Sequence, residues 1–217
     1  MLYIVATPIG NLGDISKRAL EILSTVDIVM CEDTRVTAKL LNHYELKKKM
    51  VSFHQHSTEE KMIRILEEYN NIAYVSDAGT PGISDPGNKL VAKAREMNIE
   101  IVPIPGASAI ISALSVSGFP TDKFLFMGFM PRRGRTKVFE EIKNSKYTVA
   151  FYESPHRILK TLEELVPFIL EKNVCVCREL TKKFESIYVG PISKVIDQVK
   201  EKQKGEFVVV EIGRAHV

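Results

Sequence analysis

The chain has 217 residues, 45% of them hydrophobic and 26% charged, with a net charge of +3 and three cysteines. This is the composition of an ordinary globular protein, long enough for one large or two modest domains with real cores. No apolar run reaches the length of a membrane span, and Cys31, Cys175 and Cys177, odd in number and set in apolar runs, read as buried reduced thiols rather than a disulfide framework.

Residues 2–6 read as a first parallel strand that Met1 enters with no signal-peptide layout, so a cytoplasmic location without a membrane partner is expected. Thr7-Pro8-Ile9-Gly10-Asn11-Leu12-Gly13-Asp14 is a turn-rich loop leading to a helix from about Ser16, without the G-x-G-x-x-G spacing of a dinucleotide site. Residues 26–31 form a second strand ending in Glu32-Asp33-Thr34-Arg35. Four polar residues at the carboxyl end of a buried strand can start a helix, capped by Asp33 or Thr34, and can equally line a cleft. Residues 51–53 are a short strand before His54-Gln55-His56, whose two imidazoles are an incomplete metal set; no metal is expected. Residues 58–69 are an amphipathic helix with Met62, Ile65, Leu66 and Tyr69 on one side.

A strand at 72–75 then runs into Ser76-Asp77-Ala78-Gly79-Thr80-Pro81-Gly82-Ile83-Ser84-Asp85-Pro86-Gly87, ahead of a helix over 88–97. Loops at the carboxyl ends of strands are where open α/β sheets bind ligands. A phosphate cradle wants amide donors and a lysine; this loop carries two aspartates and no basic residue. Its acceptors suit a ligand with amine, hydroxyl or cationic groups, and S-adenosylmethionine has all three. The same residues would also serve as turn and helix caps.

Residues 99–102 are the next strand, followed by Pro103-Ile104-Pro105-Gly106-Ala107-Ser108 and a helix of small residues over 109–114, suited to an adenine ring or to tight helix packing. Residues 117–122 look like a link. Beyond it come a strand at 124–129, the basic loop Met130-Pro131-Arg132-Arg133-Gly134-Arg135, a strand at 147–152 ending in Glu153-Ser154-Pro155-His156-Arg157, and a helix at 158–170. Strands at 174–178 and 185–189, a helix at 193–200 and a strand at 207–210 complete the pattern. Three arginines within four residues suit phosphate contacts, or a solvated loop. The fold expected is α/β in two domains: 1–117 with a parallel sheet and 123–210 with a mixed one.

Several stretches together resemble one family. Thr7 to Leu12, Glu32 to Arg35, Ser76 to Pro81, Pro105-Gly106-Ala107-Ser108, Phe151 to Arg157, Arg178-Glu179-Leu180-Thr181-Lys182 and Gly205-Glu206 are similar to the bacterial small-subunit rRNA (cytidine-2′-O)-methyltransferases of the tetrapyrrole-methylase superfamily. The resemblance implies a class III methyltransferase fold with S-adenosylmethionine between two domains, usually a homodimer. It implies methyl transfer to a cytidine ribose 2′-hydroxyl in the decoding region of 16S rRNA within the 30S subunit. Cofactor positions carry over onto Asp77, Ala78, Gly79, Thr80, Ser108 and Ala109, with Ile9 where relatives often have proline. Glu153, Glu32 and Asp33 are the candidate bases, Glu153 first because it lies at a strand end in the second domain. Arg35, Arg132, Arg133, Arg135, Arg157, Arg178 and Lys182 are the expected RNA contacts. The alternatives are a precorrin-type or diphthine-type methyltransferase of the same fold, and a non-catalytic RNA- or ligand-binding module. The family continues into a further helical segment, and residues 211–217 match the translation of a common sequencing adaptor, so they are read as a non-native tail in its place.

Overall fold

The computed structural model describes residues 1–170 and 172–214, in two compact units that divide between Ser108 and Ala109. The first unit holds strands β1 (Leu2–Val5), β2 (Ile28–Cys31), β3 (Met50–Ser52), β4 (Ile72–Val75) and β5 (Ile101–Ile104), and helices α1 (Lys17–Thr25), α2 (Thr34–His43), α3 (Glu59–Glu68) and α4 (Gly87–Glu96). All its strand pairs are parallel, in the order β3-β2-β4-β1-β5. The inner strands Ile28–Cys31 and Ile72–Val75 are buried at every position, as expected where both faces are covered. On one face Leu2, Met30 and Tyr74 pack with Met62, Ile65, Leu66 and Leu90 of α3 and α4. On the other, Val5, Val29 and Val75 pack with Ala19, Leu23 and Leu41 of α1 and α2.

That arrangement creates a topological switch point. From β1 the chain leaves over one face, through α1, toward β2; from the adjacent β4 it leaves over the other, through α4, toward β5. The two connections therefore leave the carboxyl ends of neighbouring strands over opposite faces, the kind of position at which open α/β sheets place ligands.

Strand β5 runs two residues later than the sequence pattern predicts and includes Pro103. It tolerates the missing N–H because it lies at the sheet edge.

The second unit opens with α5 (Ala109–Ser117), followed by β6 (Phe124–Phe129), α6 (Arg135–Asn144), β7 (Thr148–Glu153), α7 (Ile158–Ile169), β8 (Asn173–Arg178), β9 (Ser186–Pro191), α8 (Ile192–Glu201) and β10 (Phe207–Glu211). The mixed sheet has the order β6-β7-β10-β8-β9. Helices α6, α7 and α8 bury one face, where each fully buried Leu or Ile, such as Ile158, Leu162 and Leu165, contributes about 1.5–3 kcal/mol. Helix α5 packs on strands of this sheet, whereas the sequence reading carried it with the first domain to 117.

Helix α6 is absent from the sequence reading. It buries Phe139 and Ile142, but it starts at Gly134 with no side-chain cap, so the usual start signal is missing. Cys175 and Cys177 face each other at 3.6 Å, both fully buried. Of the tail expected at 211–217, Glu211 closes β10 and the Arg214 N–H donates to the Ser145 carbonyl at 2.9 Å; residues 215–217 lie outside the described residues.

Candidate functional site

At the switch point the β1 and β4 loops are stitched together. Thr7 and Gly79 exchange backbone hydrogen bonds at 2.9 and 3.1 Å, and the Thr7 hydroxyl donates to the Ser76 carbonyl at 3.2 Å. Thr80 ties the same loop to the β5 loop by donating to the Ala107 carbonyl at 3.0 Å. Gly79 has φ +80°, and a Cβ there would come within 3.2 Å of Ile9 Cγ2 and 3.5 Å of the Ala107 carbonyl. The position thus demands glycine both for its backbone and for its room. Four of the expected cofactor positions, Ile9, Ala78, Gly79 and Thr80, lie in this knot. Ser108, half-buried, ends the β5 loop, and Ala109 opens α5.

An acidic rim surrounds the knot. Asp77 Oδ1 accepts the Asp33 N–H at 3.0 Å, joining the β2 and β4 loops. Asp33 caps α2, accepting the Arg35 N–H at 2.8 Å, and its carboxylate grips the Arg35 guanidinium at 2.6 Å. Those Arg35 hydrogen bonds hold the Asp33 carboxyl down at about 2. Glu32 is the opposite case: burial, and then the charges of Asp77, Asp85 and Asp33, push its carboxyl up. Asp85 folds its own loop by accepting the N–H groups of Gly82 and Gly87 at 2.9 and 2.8 Å. Burial, and next the Asp85 charge, push the Tyr74 hydroxyl up. The sequence reading did not single out Tyr74; an aromatic in an otherwise aliphatic buried strand was the available signal.

In the second unit the residues expected to act sort into two groups. Glu153 is fully buried in its side chain and held on both oxygens. Arg157 lies 2.7 Å from Oε1, the Ser154 N–H donates to Oε1 at 2.7 Å, and the Thr161 hydroxyl donates to Oε2 at 2.5 Å. Arg135 donates to the Thr161 hydroxyl and pairs with Glu164 at 3.0 Å. Arg178 is buried and donates to the Lys204 and Phe184 carbonyls at 2.5 and 2.8 Å. Lys182 bridges Glu179 and Glu206 at 2.9 and 2.8 Å. These cations hold loops together. Arg132 and Arg133, by contrast, are exposed. Thr161 and Glu164 went unnoticed in the sequence because their roles depend on which face α7 turns to β7.

The chain is 46% identical to the Ribosomal RNA small subunit methyltransferase I of Synechocystis sp. over 98% of its own length and 79% of that protein's. It is 45% identical to the protein of the same name from Halalkalibacterium halodurans, over 98% of this chain and 75% of that one. Among solved structures, that of diphthine synthase superposes with a TM-score of 0.73 at 15% identity, covering 97% of this chain and 89% of that one, which shows a shared fold. The family model described as Tetrapyrrole (Corrin/Porphyrin) Methylases matches residues 1–196. With nearly the whole chain accounted for in this way, it belongs to the tetrapyrrole methylase family.

Proposed function

We propose that the chain is an S-adenosylmethionine-dependent methyltransferase of small-subunit ribosomal RNA, acting on the 2′-hydroxyl of a cytidine in the decoding region of 16S rRNA within the 30S subunit. The observation that carries this reading is identity of about 45% over 98% of the chain to proteins named for that RNA. The donor set agrees with the cofactor. Around the Thr7–Gly79 knot stand the carboxylates of Glu32, Asp77 and Asp85 and the Ala107 carbonyl, with Arg35 neutralised by Asp33. Such a site welcomes an ammonium group, ribose hydroxyls and a sulfonium, and repels a triphosphate.

When bound, S-adenosylmethionine supplies a methyl group already activated by the positive sulfur. The protein's part is to align the acceptor oxygen and to take its proton. Among the three candidate bases the geometry favours Glu32. Glu153 spends both oxygens on Arg157, Ser154 and Thr161, and Asp33 is a weak base beside Arg35. Glu32 is half-buried with a raised carboxyl pKa, which makes its anion the better proton acceptor. Glu153 then serves to position Arg157. Exposed Arg132 and Arg133 take RNA phosphates.

The chain acts in the cytoplasm as a homodimer. The exposed apolar side chains of Ile111 and Val116 on α5 and of Ile187 and Val189 on β9 support a second copy covering that face. Among the described residues no helix is long and apolar enough to cross a membrane.

The test is transfer of labelled methyl groups from S-adenosylmethionine to 30S subunits that lack the modification, with the product nucleotide mapped. One methylated cytidine ribose in the decoding region is expected, from a protein whose light-scattering mass is twice 24.5 kDa. Cofactor binding without transfer to these subunits would leave a binding module and end the enzymatic reading.

A further inference from the structure

Strand β6 slips register once against β7. Phe126 pairs with Ala150 and Phe129 with Tyr152, so three steps along one strand match two along the other. Gly128, at φ +67°, accommodates the bulge. A bulge re-aims the side chain that follows it, and here it brings both Phe126 and Phe129 to the Tyr152 ring. Each lies at a centroid distance of 5.1 Å, tilted or edge-on. Phe126 is half-buried; Phe129 remains 59% exposed. The open ring is therefore held against Tyr152, which Phe126 braces in turn, and this lowers the ordering cost of anything that lies on it.

The chain that follows is anchored at both ends. Met130 is buried, and its N–H donates to the Tyr152 carbonyl at 3.1 Å; Arg135 is pinned by Glu164 at 3.0 Å and by the Thr161 hydroxyl. Between these anchors residues 131–134 are exposed, which sets Arg132 and Arg133 three and four residues from the open ring. The Tyr152 hydroxyl also receives the Ile110 N–H from the first turn of α5, so the ring cluster is tied to the helix that Ala109 opens.

We propose that Phe129 is a stacking platform for an unpaired base of the RNA substrate, with Arg132 and Arg133 on the flanking phosphates. This rests on the chain acting on ribosomal RNA. An aromatic face beside two arginines is the chemistry of single-stranded nucleic acid, in which each base offers a flat surface and each link a charge. A ribose hydroxyl is also easiest to reach where its nucleotide is splayed out of a helix. Phe129 would hold such a nucleotide near the α5 start, where the carried-over cofactor position Ala109 lies.

The chain has no tryptophan, so Phe129→Trp introduces a single indole at the platform. Titration with a protein-free RNA hairpin of the 16S decoding region should quench that indole with the same midpoint as filter binding. Phe129→Leu should weaken hairpin binding about tenfold or more, with an unchanged slope of log affinity against log salt, and Phe129→Tyr should restore it. S-adenosylmethionine affinity by calorimetry and mass by light scattering should be the same for all three variants. Hairpin binding without quenching, or full affinity in Phe129→Leu, overturns the platform alone. A fall in mass assigns Phe129 to contact between copies and overturns it too. If the unsubstituted protein fails to bind the hairpin and also fails to methylate 30S subunits, the ribosomal RNA reading falls first and takes the platform with it.

Discussion

Glu32 and Asp77 sit on neighbouring loops and are both carboxylates, yet their surroundings give them different work. Asp77 is a strut that also offers acceptors: it holds the Asp33 N–H of the β2 loop at 3.0 Å. Asp77→Ala should lower S-adenosylmethionine affinity in calorimetry by about 1–3 kcal/mol, since a hydrogen-bonded charge and the loop it steadies are lost together. An unchanged affinity would refute its role. Glu32 is held less by partners than by burial and like charge. Glu32→Gln should cut kcat about 10²- to 10⁴-fold while lowering cofactor affinity less than Asp77→Ala does. The wild-type rate should rise with pH through a carboxyl value above the ordinary 4.5 and then level off. Full turnover by the glutamine variant would return the proton to another acceptor. Glu153 shows the limit of reading function from position: a carboxylate at a strand end looks free in sequence, and only the approach of Arg157, Ser154 and Thr161 shows that it is engaged.

At the scale of elements, the stretch between β6 and α6 was legible as basic but not as structured. Sequence shows the arginines; it does not show that Arg135 turns inward to Glu164 while Arg132 and Arg133 stay outside, because that depends on where α6 begins. A helix that starts on a glycine without a capping side chain gives little local warning of itself. The division of labour is testable. Arg132→Glu and Arg133→Glu should each weaken RNA binding and reduce the slope of log affinity against log salt by about 1. Arg178→Glu should instead lower the melting temperature, because its guanidinium ties down two carbonyls. If the salt slope of the Arg132 and Arg133 variants matches that of the parent protein, the loop does not touch phosphate.

For the molecule as a whole, stability should carry the signature of one buried carboxyl. Glu211, fully buried, pairs with Lys172 at 2.7 Å, and burial outweighs that lysine in pushing the carboxyl up to about 7. A folded value above the unfolded one means that the native state binds the extra proton. Its contribution is complete below about 4.5 and is lost as pH rises through about 7. Thermal melts should show this loss, on the order of 1–3 kcal/mol, and Lys172→Met/Glu211→Leu should flatten it; an equal pH dependence in the double variant would exclude the pair as its source. The sequence by itself determined the alternation of strands and helices except for α6, the two-part α/β plan and the stretches that mark the family, because hydrophobic period, turn residues and motif order are local. Tertiary structure alone decided the strand order that puts the β1 and β4 loops at a switch point, the side of the division on which α5 packs, and which acids and arginines are already engaged. Those outcomes depend on contacts between segments far apart in the chain, where burial and pairing outweigh what any residue prefers on its own.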